Sequence, residues 1–315
     1  MPEKPQLSVI IASYNPGKLI ERCLESLKNQ SIDQPFEIIM VDSSSDGGSS
    51  LIGKKFPDVR LYQFSERRFC GDARNFGVSV ARGEIIAFID ADCWADQNWA
   101  NQILKAHQSS YLAIGGTIAN ANPGSTIGWA SYFCEFSQWM PGFRSRNLAD
   151  IAGANMSYKR KAFQEYGLFI EGTYSSDTEF HWRLRRNKSF LQFVPSILVF
   201  HHNIDRFKRF LRHEFEHGRS FARVRMKAQN FSELRRFVYA AFSFLIPFWL
   251  TLKIGLRNLR NRTYLFHFLK ASPLLMLGLI SWSLGEYTGY VKGFSFLRKG
   301  ASSSTATPNA IPPGT

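Results

Sequence analysis

Two carboxylates, Asp90 and Asp92, stand one residue apart at the end of an apolar run at residues 85–89. A short continuous apolar run is typical of a strand buried on both faces of a sheet. Ligands of open α/β sheets bind just outside the carboxyl ends of the strands, and carboxylates suit a hard divalent cation that holds a diphosphate. The alternative is structural: Asp92 caps a helix and Asp90 hydrogen-bonds within a loop.

The elements that must position this pair alternate along the chain. Strands are predicted at residues 7–12, 36–41, 59–64, 85–90 and 190–200. After Asp92 the pattern becomes irregular, with further segments at residues 114–120 and 151–158. Helices are predicted at residues 19–27, 73–82 and 176–186. Strands that alternate with helices favour a mostly parallel, twisted sheet flanked by helices and joined by right-handed crossovers. We therefore expect an α/β fold.

Charge is unevenly distributed along the 315 residues, which carry a formal net charge of +14. Residues 1–180 contain 17 Lys and Arg against 20 Asp and Glu, whereas residues 181–315 contain 22 against 5. A basic half fits nucleic acid or an anionic membrane surface. Apolar runs interleave with the basic residues, so we expect membrane lipids as the partner and no nucleic acid. The four cysteines form no CxxC pair, which predicts reduced thiols in the cytosol.

The C-terminal third contains a basic helix and two apolar runs. The helix is predicted at residues 205–227, and the runs are residues 238–252 and 273–291. A membrane span needs about 20 apolar residues. The first run is shorter than that, and the second contains Glu286. We expect a catalytic domain at residues 1–204 and a membrane-associated helical region at residues 205–299. Residues 300–315 are expected to be a disordered tail.

The segment between the apolar runs is basic. It contains Lys253, Arg257, Arg260, Arg262 and Lys270. Positively charged loops stay on the cytoplasmic side, so a hairpin that dips into the cytoplasmic leaflet, or helices lying in the interface, would avoid their translocation. Two true crossings remain an alternative, and a hydrophobic dimer interface is an alternative to membrane attachment. We expect the protein at the cytoplasmic face of the cell membrane, with its catalytic half in the cytosol.

Five motifs, in this order, resemble those of the family 2 glycosyltransferases. They are SVIIASYNPG at residue 8, VDSSSDGG at 41, ARNFGVSVARGEIIAFIDADC at 73, GANMSYKR at 153 and SSDTEFHWRLRR at 175. The resemblance covers about residues 7–200 and implies the GT-A nucleotide-diphospho-sugar transferase fold. It also implies Mn²⁺ or Mg²⁺ as the cofactor and a nucleotide-sugar donor. The C-terminal third is similar to the membrane-attachment tails of some bacterial members.

The resemblance assigns donor-side roles by position. Asp90-Ala91-Asp92 corresponds to the family's DXD motif. Asp92, its last residue, would be the metal ligand, and Asp90 would hold the ribose and support the metal. In some members a histidine at the position of His201 reaches the metal or the diphosphate. Nucleotide contacts fall on Tyr14, Asn15, Asp42 and Arg74. The alternatives are a turn-forming Asx residue at position 42 and a surface arginine at position 74.

The acceptor side requires a carboxylate base, because the attacking hydroxyl must lose its proton. The family places this base in a Glu-Asp pair at a helix start. Ser176 replaces the first acid here, Asp177 keeps the position of the base, and Glu179 is the second candidate. Helix capping is the alternative role. Asn155, Trp182 and Arg183 are expected on the acceptor side.

The resemblance predicts transfer of a single sugar, because the Gln-x-x-Arg-Trp motif of the processive synthases is absent. The expected protein is an inverting, metal-dependent glycosyltransferase with a lipid-linked or surface-glycan acceptor. One alternative is a transferase of the same fold with a small soluble acceptor. Another is a non-catalytic membrane scaffold with a lapsed nucleotide-sugar site. The sequence leaves the oligomeric state open.

Overall fold

The structure, a computed structural model, describes residues 4–45, 48–292 and 309–310, without the side chains of residues 48–50 and 309–310. Its strands are β1 Leu7–Ser13, β2 Phe36–Asp42, β3 Arg60–Gln63, β4 Ile85–Ile89, β5 Cys93–Ala95, β6 Ala113–Asn120, β7 Arg146–Leu148, β8 Asn155–Lys159, β9 Leu191–His201 and β10 Asn309–Ala310. Its α-helices are α1 Leu19–Lys28, α2 Gly48–Lys55, α3 Cys70–Val80, α4 Trp99–Ala106, α5 Thr126–Phe136, α6 Arg160–Tyr166, α7 Ser176–Arg186, α8 Phe207–Ala228, α9 Glu233–Ala241, α10 Ile246–Asn261 and α11 Leu265–Lys292.

The strands form one mixed sheet in the order β10-β3-β2-β1-β4-β8-β6-β9-β5, with β7 paired to β9. The first four strands along the chain are parallel to one another, as the alternation of strands and helices predicts. Beyond β4 the sheet is mixed: β8 runs antiparallel to β4 and β6, whereas β6 and β9 are parallel. The α/β fold class is confirmed.

Strand β4 is buried on both faces, which explains its uninterrupted apolar sequence. Ile86 and Phe88 point into a core formed with α3, α6 and α7. Ala87 and Ile89 point into the larger core on the other face, which includes α1, α4 and α5. Because the strand is fixed from both sides, Asp90 emerges at a rigid position at its carboxyl end.

The expected tail at residues 300–315 lies outside the described residues except for β10. Asn309 and Ala310 of that strand pair antiparallel with Gln63 and Tyr62 at the edge of the sheet. The expected domain boundary at residue 204 falls just after β9 and three residues before α8 begins. The helices that follow are not a separate body, because α8, α10 and α11 pack on the catalytic half.

Helices α8 and α11 run parallel and in close contact. The residue numbers of contacting positions increase in the same direction along both helices. Ser281 donates to the carbonyl of Leu211, and further along Arg225 donates to the hydroxyl of Tyr290. The backbones nearly touch at Gly285, where a Cβ would lie 2.1 Å from the carbonyl oxygen of Phe215. Only a glycine allows this approach, so the helix pair is specified by small residues at its interface.

The acidic residue within α11 is part of this interface. Glu286 is buried and accepts hydrogen bonds from Trp282 Nε1 at 2.7 Å and from the Tyr290 hydroxyl at 2.8 Å. Arg225 of α8 lies 3.7 Å from the same carboxylate. Buried charges need such partners. Glu286 therefore faces protein, not lipid, and does not interrupt the apolar outer face of α11.

The outer face of the C-terminal helices is broadly apolar and exposed. Its large exposed side chains include Leu234, Phe237, Phe248, Trp249, Leu252, Phe266, Leu269, Leu277, Ile280 and Leu284. Two segments, Glu233–Asn261 and Leu265–Lys292, are long and apolar enough to cross a membrane. An exposed apolar surface of this extent marks an interaction site.

The close contact between α8 and α11 gives a prediction about stability. Replacing a helical glycine by alanine normally stabilises a helix by about 1 kcal/mol. We expect Gly285→Ala to destabilise instead, by about 1–3 kcal/mol, because overpacking forces the helices apart. Thermal unfolding in detergent measures the effect.

The matched control is Gly255→Ala in α10. A Cβ there would lie 3.4 Å from the Phe268 ring, which is ordinary contact, so this variant should melt at or above the wild-type temperature. Equal melting temperatures for the two variants would contradict the packing described here.

Candidate functional site

A cavity of about 520 Å³ opens at the carboxyl ends of β1 and β4. Among the expected site residues, it is lined by Tyr14, Asn15, Arg74, Asp90, Asp92 and Asp177. Residues distant in sequence complete the wall: Glu135, Asp150, Arg209, His213, His217 and Trp282. The structure thus brings most of the predicted donor-side residues and the predicted base into one cavity.

Asp92 and His201 face each other at the end of β9. Nε2 of His201 lies 3.5 Å from a carboxylate oxygen of Asp92. Nδ1 of the same ring lies 3.0 Å from Oδ1 of Asn203, whose amide nitrogen is committed to Asn120 and to the His201 carbonyl. Asn203 therefore accepts from Nδ1–H, and in the neutral ring this leaves a lone pair on Nε2, directed at Asp92.

This arrangement fits a divalent cation. A lone pair and a carboxylate that face each other repel unless a cation or a proton lies between them. Burial raises the pKa of Asp92, His201 opposes the shift, and the charge of Asp90 adds to it, so the pair of acids is electrostatically unfavourable alone. Asp92 and His201 would hold the ion with support from Asp90. Cys93 also lies close, but burial raises its thiol pKa, which makes it a poor ligand.

Arg74 links the acids to the rest of the cavity. Its side chain is only 5% exposed, and Nη2 donates to Oδ1 of Asp90 at 3.0 Å and to the carbonyl of Gly153 at 3.2 Å. A Cβ at Gly153 would lie 2.8 Å from Nη2 of Arg74 and 2.7 Å from Oδ2 of Asp177. Arg74 and Asp177 therefore converge on a position that has room only for glycine.

Asp177 lies in the first turn of α7, but its role is not that of a helix cap. The N-cap residue is Ser175, and no side-chain cap bond forms there. Oδ1 of Asp177 accepts from the N–H of Thr178 at 3.0 Å. Burial raises the pKa of Asp177, the Arg74 guanidinium opposes that shift, and the nearby carboxylate of Asp150 adds to it. A carboxylate in such surroundings is a stronger base than an exposed aspartate.

Asp150 is held by a chain of buried polar groups. It bonds to Nδ1 of His181, whose Nε2 lies 2.6 Å from the hydroxyl of Tyr158. The Thr178 hydroxyl donates to its other oxygen at 3.2 Å. Asp150 was not predicted from the sequence, because it lies in the loop between β7 and β8 with no motif around it.

The nucleotide-side loops are joined to each other. Asn15, in the left-handed region at φ 48°, accepts from the N–H of Ser45, and its own N–H donates to the Ser44 hydroxyl. Tyr14 is exposed and lies under the guanidinium of Arg67, 4.5 Å from the ring centroid. Asp42 does not line the cavity: it is buried and accepts from both the N–H and the hydroxyl of Ser44, as an Asx turn would.

Four expected acceptor-side residues lie outside the cavity. Glu179 forms an ion pair with Arg183 at 2.8 Å, and Arg183 also donates to the carbonyls of Tyr166 and Leu168. Trp182 packs edge-on against Phe221. Asn155 is buried and uses its amide on Trp99, Thr117 and Ile197. Each of these side chains is engaged in structural contacts. Of the two candidate bases, only Asp177 reaches the cavity.

The remaining wall comes from helices that lie outside the five motifs. Glu135 comes from α5, Arg209, His213 and His217 come from α8, and Trp282 comes from α11. The sequence signal for this wall is the spacing of the two histidines, one helical turn apart on α8. Tertiary packing alone brings α5 and α11 to it.

The whole chain shares its fold with a solved glycosyltransferase structure. A mannosyltransferase from Pyrobaculum calidifontis, PcManGT, solved in complex with GDP-Man and Mn²⁺, matches 90% of this chain and 88% of its own, with a TM-score of 0.60 and 18% identity. The fold is therefore the GT-A α/β fold, as the motifs imply.

The sequence comparisons identify the family. The family Glycosyl transferase family 2 matches residues 8–167, half of the chain, so this protein belongs to glycosyl transferase family 2. It is 40% identical over 106 residues to putative glycosyltransferase EpsH of Bacillus subtilis, covering 33% of this chain and 30% of EpsH. It is 26% identical over 190 residues to glycosyltransferase AglE of Haloferax volcanii, covering 58% and 61%. The matched region is thus less than two thirds of either relative.

The geometry around His201 gives a prediction about metal binding. We expect Asp92→Asn to weaken Mn²⁺ binding at this site by at least about tenfold, because the carboxylate would be the principal anionic ligand. Asn203→Leu should weaken it by roughly 10–100-fold, since the partner that fixes the imidazole is lost. Electron paramagnetic resonance of Mn²⁺ titrations measures both, with circular dichroism to verify folding.

Cys93→Ala serves as the control within the same cluster. Its thiol is close enough to bind, so unchanged Mn²⁺ affinity would establish a site built from oxygen and nitrogen ligands. An affinity loss equal to that of Asp92→Asn would instead make the sulfur a ligand.

Proposed function

We propose that this protein is an inverting, metal-dependent glycosyltransferase that moves a single sugar from a nucleotide-sugar donor to a lipid-linked or surface-glycan acceptor. The observation that carries the proposal is the position of Asp177. This half-buried carboxylate shares one cavity with Asp90 and Asp92 and is separated from them by the Arg74 guanidinium. A displacement reaction needs this separation of base from leaving-group site.

The donor side matches the charge that develops on a departing nucleoside diphosphate. A divalent ion held by Asp92 and His201 would supply Lewis-acid stabilisation of the phosphate oxygens. Arg74 holds Asp90 at 3.0 Å, which fixes that carboxylate for a ribose hydroxyl or the metal. Tyr14, under Arg67, offers an aromatic face to the base. The GDP-Man and Mn²⁺ bound by PcManGT, which shares this fold, support the assignment.

The acceptor side assigns Asp177 as the general base. It takes the proton of the acceptor hydroxyl as the oxygen attacks the anomeric carbon from the face opposite the leaving diphosphate, which inverts the configuration there. Asp150, held by His181, lies near enough to raise the pKa of Asp177 further. Since the base must be ionised, activity should fall as the pH falls through this raised pKa.

A lipid-linked acceptor is favoured by the position of the cavity. Trp282 of α11 and Phe221 of α8 line it, and the outer face of α11 is exposed and apolar. One relative, 24% identical over 182 residues, is a glucosyl-dolichyl phosphate glucuronosyltransferase, which supports an acceptor of this kind.

The C-terminal helices are proposed to lie in the cytoplasmic leaflet without crossing it. The C-terminal end of α10 contacts the catalytic half: Arg257 donates to the Ser137 hydroxyl at 2.8 Å, and Asn261 donates to the carbonyl of Pro141 at 2.7 Å. Two crossings would carry this end of α10 to the far side of the membrane and break both bonds. The basic charge of the segment between the apolar runs also opposes translocation.

The first functional prediction separates the two candidate bases. With wild-type enzyme, a screen of nucleotide sugars identifies the donor by metal-dependent release of nucleoside diphosphate. We expect Asp177→Asn to lower turnover by roughly 10² or more, because the isosteric amide cannot accept the proton. Donor binding, measured by calorimetry, should be nearly unchanged.

Glu179→Gln is the matched control, an isosteric change two residues away in the same helix. It breaks an ion pair outside the cavity and should retain most of the turnover. The proposal fails if Glu179→Gln is the inactive variant, or if no nucleotide sugar is consumed under any metal condition.

The second functional prediction concerns topology. A cysteine introduced at the exposed Arg260 should react with a membrane-impermeant thiol reagent from the cytosolic side, as should a control cysteine at exposed Glu66 in the catalytic half. The protein should stay with membranes in high salt, because apolar burial holds it. Labelling of the two positions from opposite sides would establish two crossings.

A further inference from the structure

A second group of metal-ligating side chains lines the cavity, separate from Asp92 and His201. It consists of Glu135, at the end of α5, with His213 and His217 on α8, and one ligand atom from each lies within 4.8 Å of the others. Oε1 of Glu135 is 3.3 Å from Nε2 of His213. We propose that these three side chains form a second metal site, for a divalent transition-metal ion such as Zn²⁺.

The helix supplies the geometry that the proposal needs. His213 and His217 lie four residues apart within the 22-residue α8, so both imidazoles project from one face. Residues 213–217 read HEFEH, which matches the H-E-x-x-H pattern of helical zinc sites. The pattern alone is weak evidence. A third ligand from a different helix, Glu135, strengthens it, because tertiary packing has brought a carboxylate to the histidine face.

A simple ion pair does not account for the whole cluster. Pairing between Glu135 and His213 satisfies those two groups. It leaves Nδ1 of His217 buried without a hydrogen-bond partner among the described residues. An unpaired buried polar atom is unfavourable, because it has lost its hydrogen bonds to water. A metal ion coordinated by both imidazoles and the carboxylate would include His217 in the interaction, which the ion pair does not.

The ligand set distinguishes this site from the one at the end of β4. Two imidazoles and one carboxylate suit a transition metal, whereas the oxygens of Asp90 and Asp92 suit Mg²⁺ or Mn²⁺. Three protein ligands leave a coordination position open, as in catalytic zinc sites, and here it faces the cavity. Arg209, one turn before His213, lines the same wall. The open position is therefore suited to an oxygen of an anionic ligand.

The test isolates this cluster from the other metal site and does not depend on the transferase reaction. The host is the full chain carrying Asp92→Asn and His201→Gln, stripped with chelator and dialysed against Zn²⁺. We expect one equivalent of zinc per chain by elemental analysis. Co²⁺ substitution should give visible absorption bands of low-symmetry coordination. Thermal unfolding verifies that each variant folds.

Adding His217→Gln to the host should abolish both the zinc and the absorption, and Glu135→Gln should do the same. The matched control is His267→Gln, which removes a histidine stacked on Trp129 outside the cluster and should leave one equivalent bound. If the host binds no zinc, the cluster is only the ion pair of Glu135 and His213. If the folded His217→Gln variant retains zinc, the metal binds elsewhere. Either result overturns the proposal.

Discussion

The site depends on one buried cation, the guanidinium of Arg74. Burial opposes its charge, but Cys70 and the carboxylates of Asp90 and Asp177 hold its pKa above the usual arginine value. A buried guanidinium needs such partners, because an unpaired charge in the interior is very costly. Arg74 therefore draws one acid from the donor side and one from the acceptor side towards itself. The absence of a side chain at Gly153 makes that approach sterically possible.

The same cavity also depends on the C-terminal helices. In sequence they look like an appendage, yet α8 and α11 supply part of the wall, including His217 and Trp282. The close contact at Gly285 fixes α11 on α8, and Glu286 satisfies its charge within that interface. The proposed membrane surface and the proposed chemistry are therefore coupled through packed helices. Helix α11 contributes both to the exposed apolar face and to the cavity that contains Asp177.

Charge in the cavity is arranged in groups of different chemical hardness. The carboxylates at the end of β4 are oxygen ligands that meet one imidazole, His201. The cluster between α5 and α8 has two imidazoles and one carboxylate. Arg209 adds a positive group to the same wall, whereas the Arg74 guanidinium is already paired with Asp90. This division would let two ions of different preference act without competing for the same residues.

The sequence alone determined the α/β fold class, the first strands, and the position of Asp90 and Asp92 at the end of a strand, because those features depend on hydrophobic periodicity and on neighbours within a few residues. The resemblance of its motifs to a known family singled out Asp177. Tertiary structure decided which side chains reach the cavity, because Glu179 and Arg183 pair with each other away from it, while Asp177 of the same helix lines it. It also decided the part of the cavity wall that α5, α8 and α11 contribute. These residues lie far from the DXD motif along the chain, and they converge only through helix packing, which no local sequence pattern encodes.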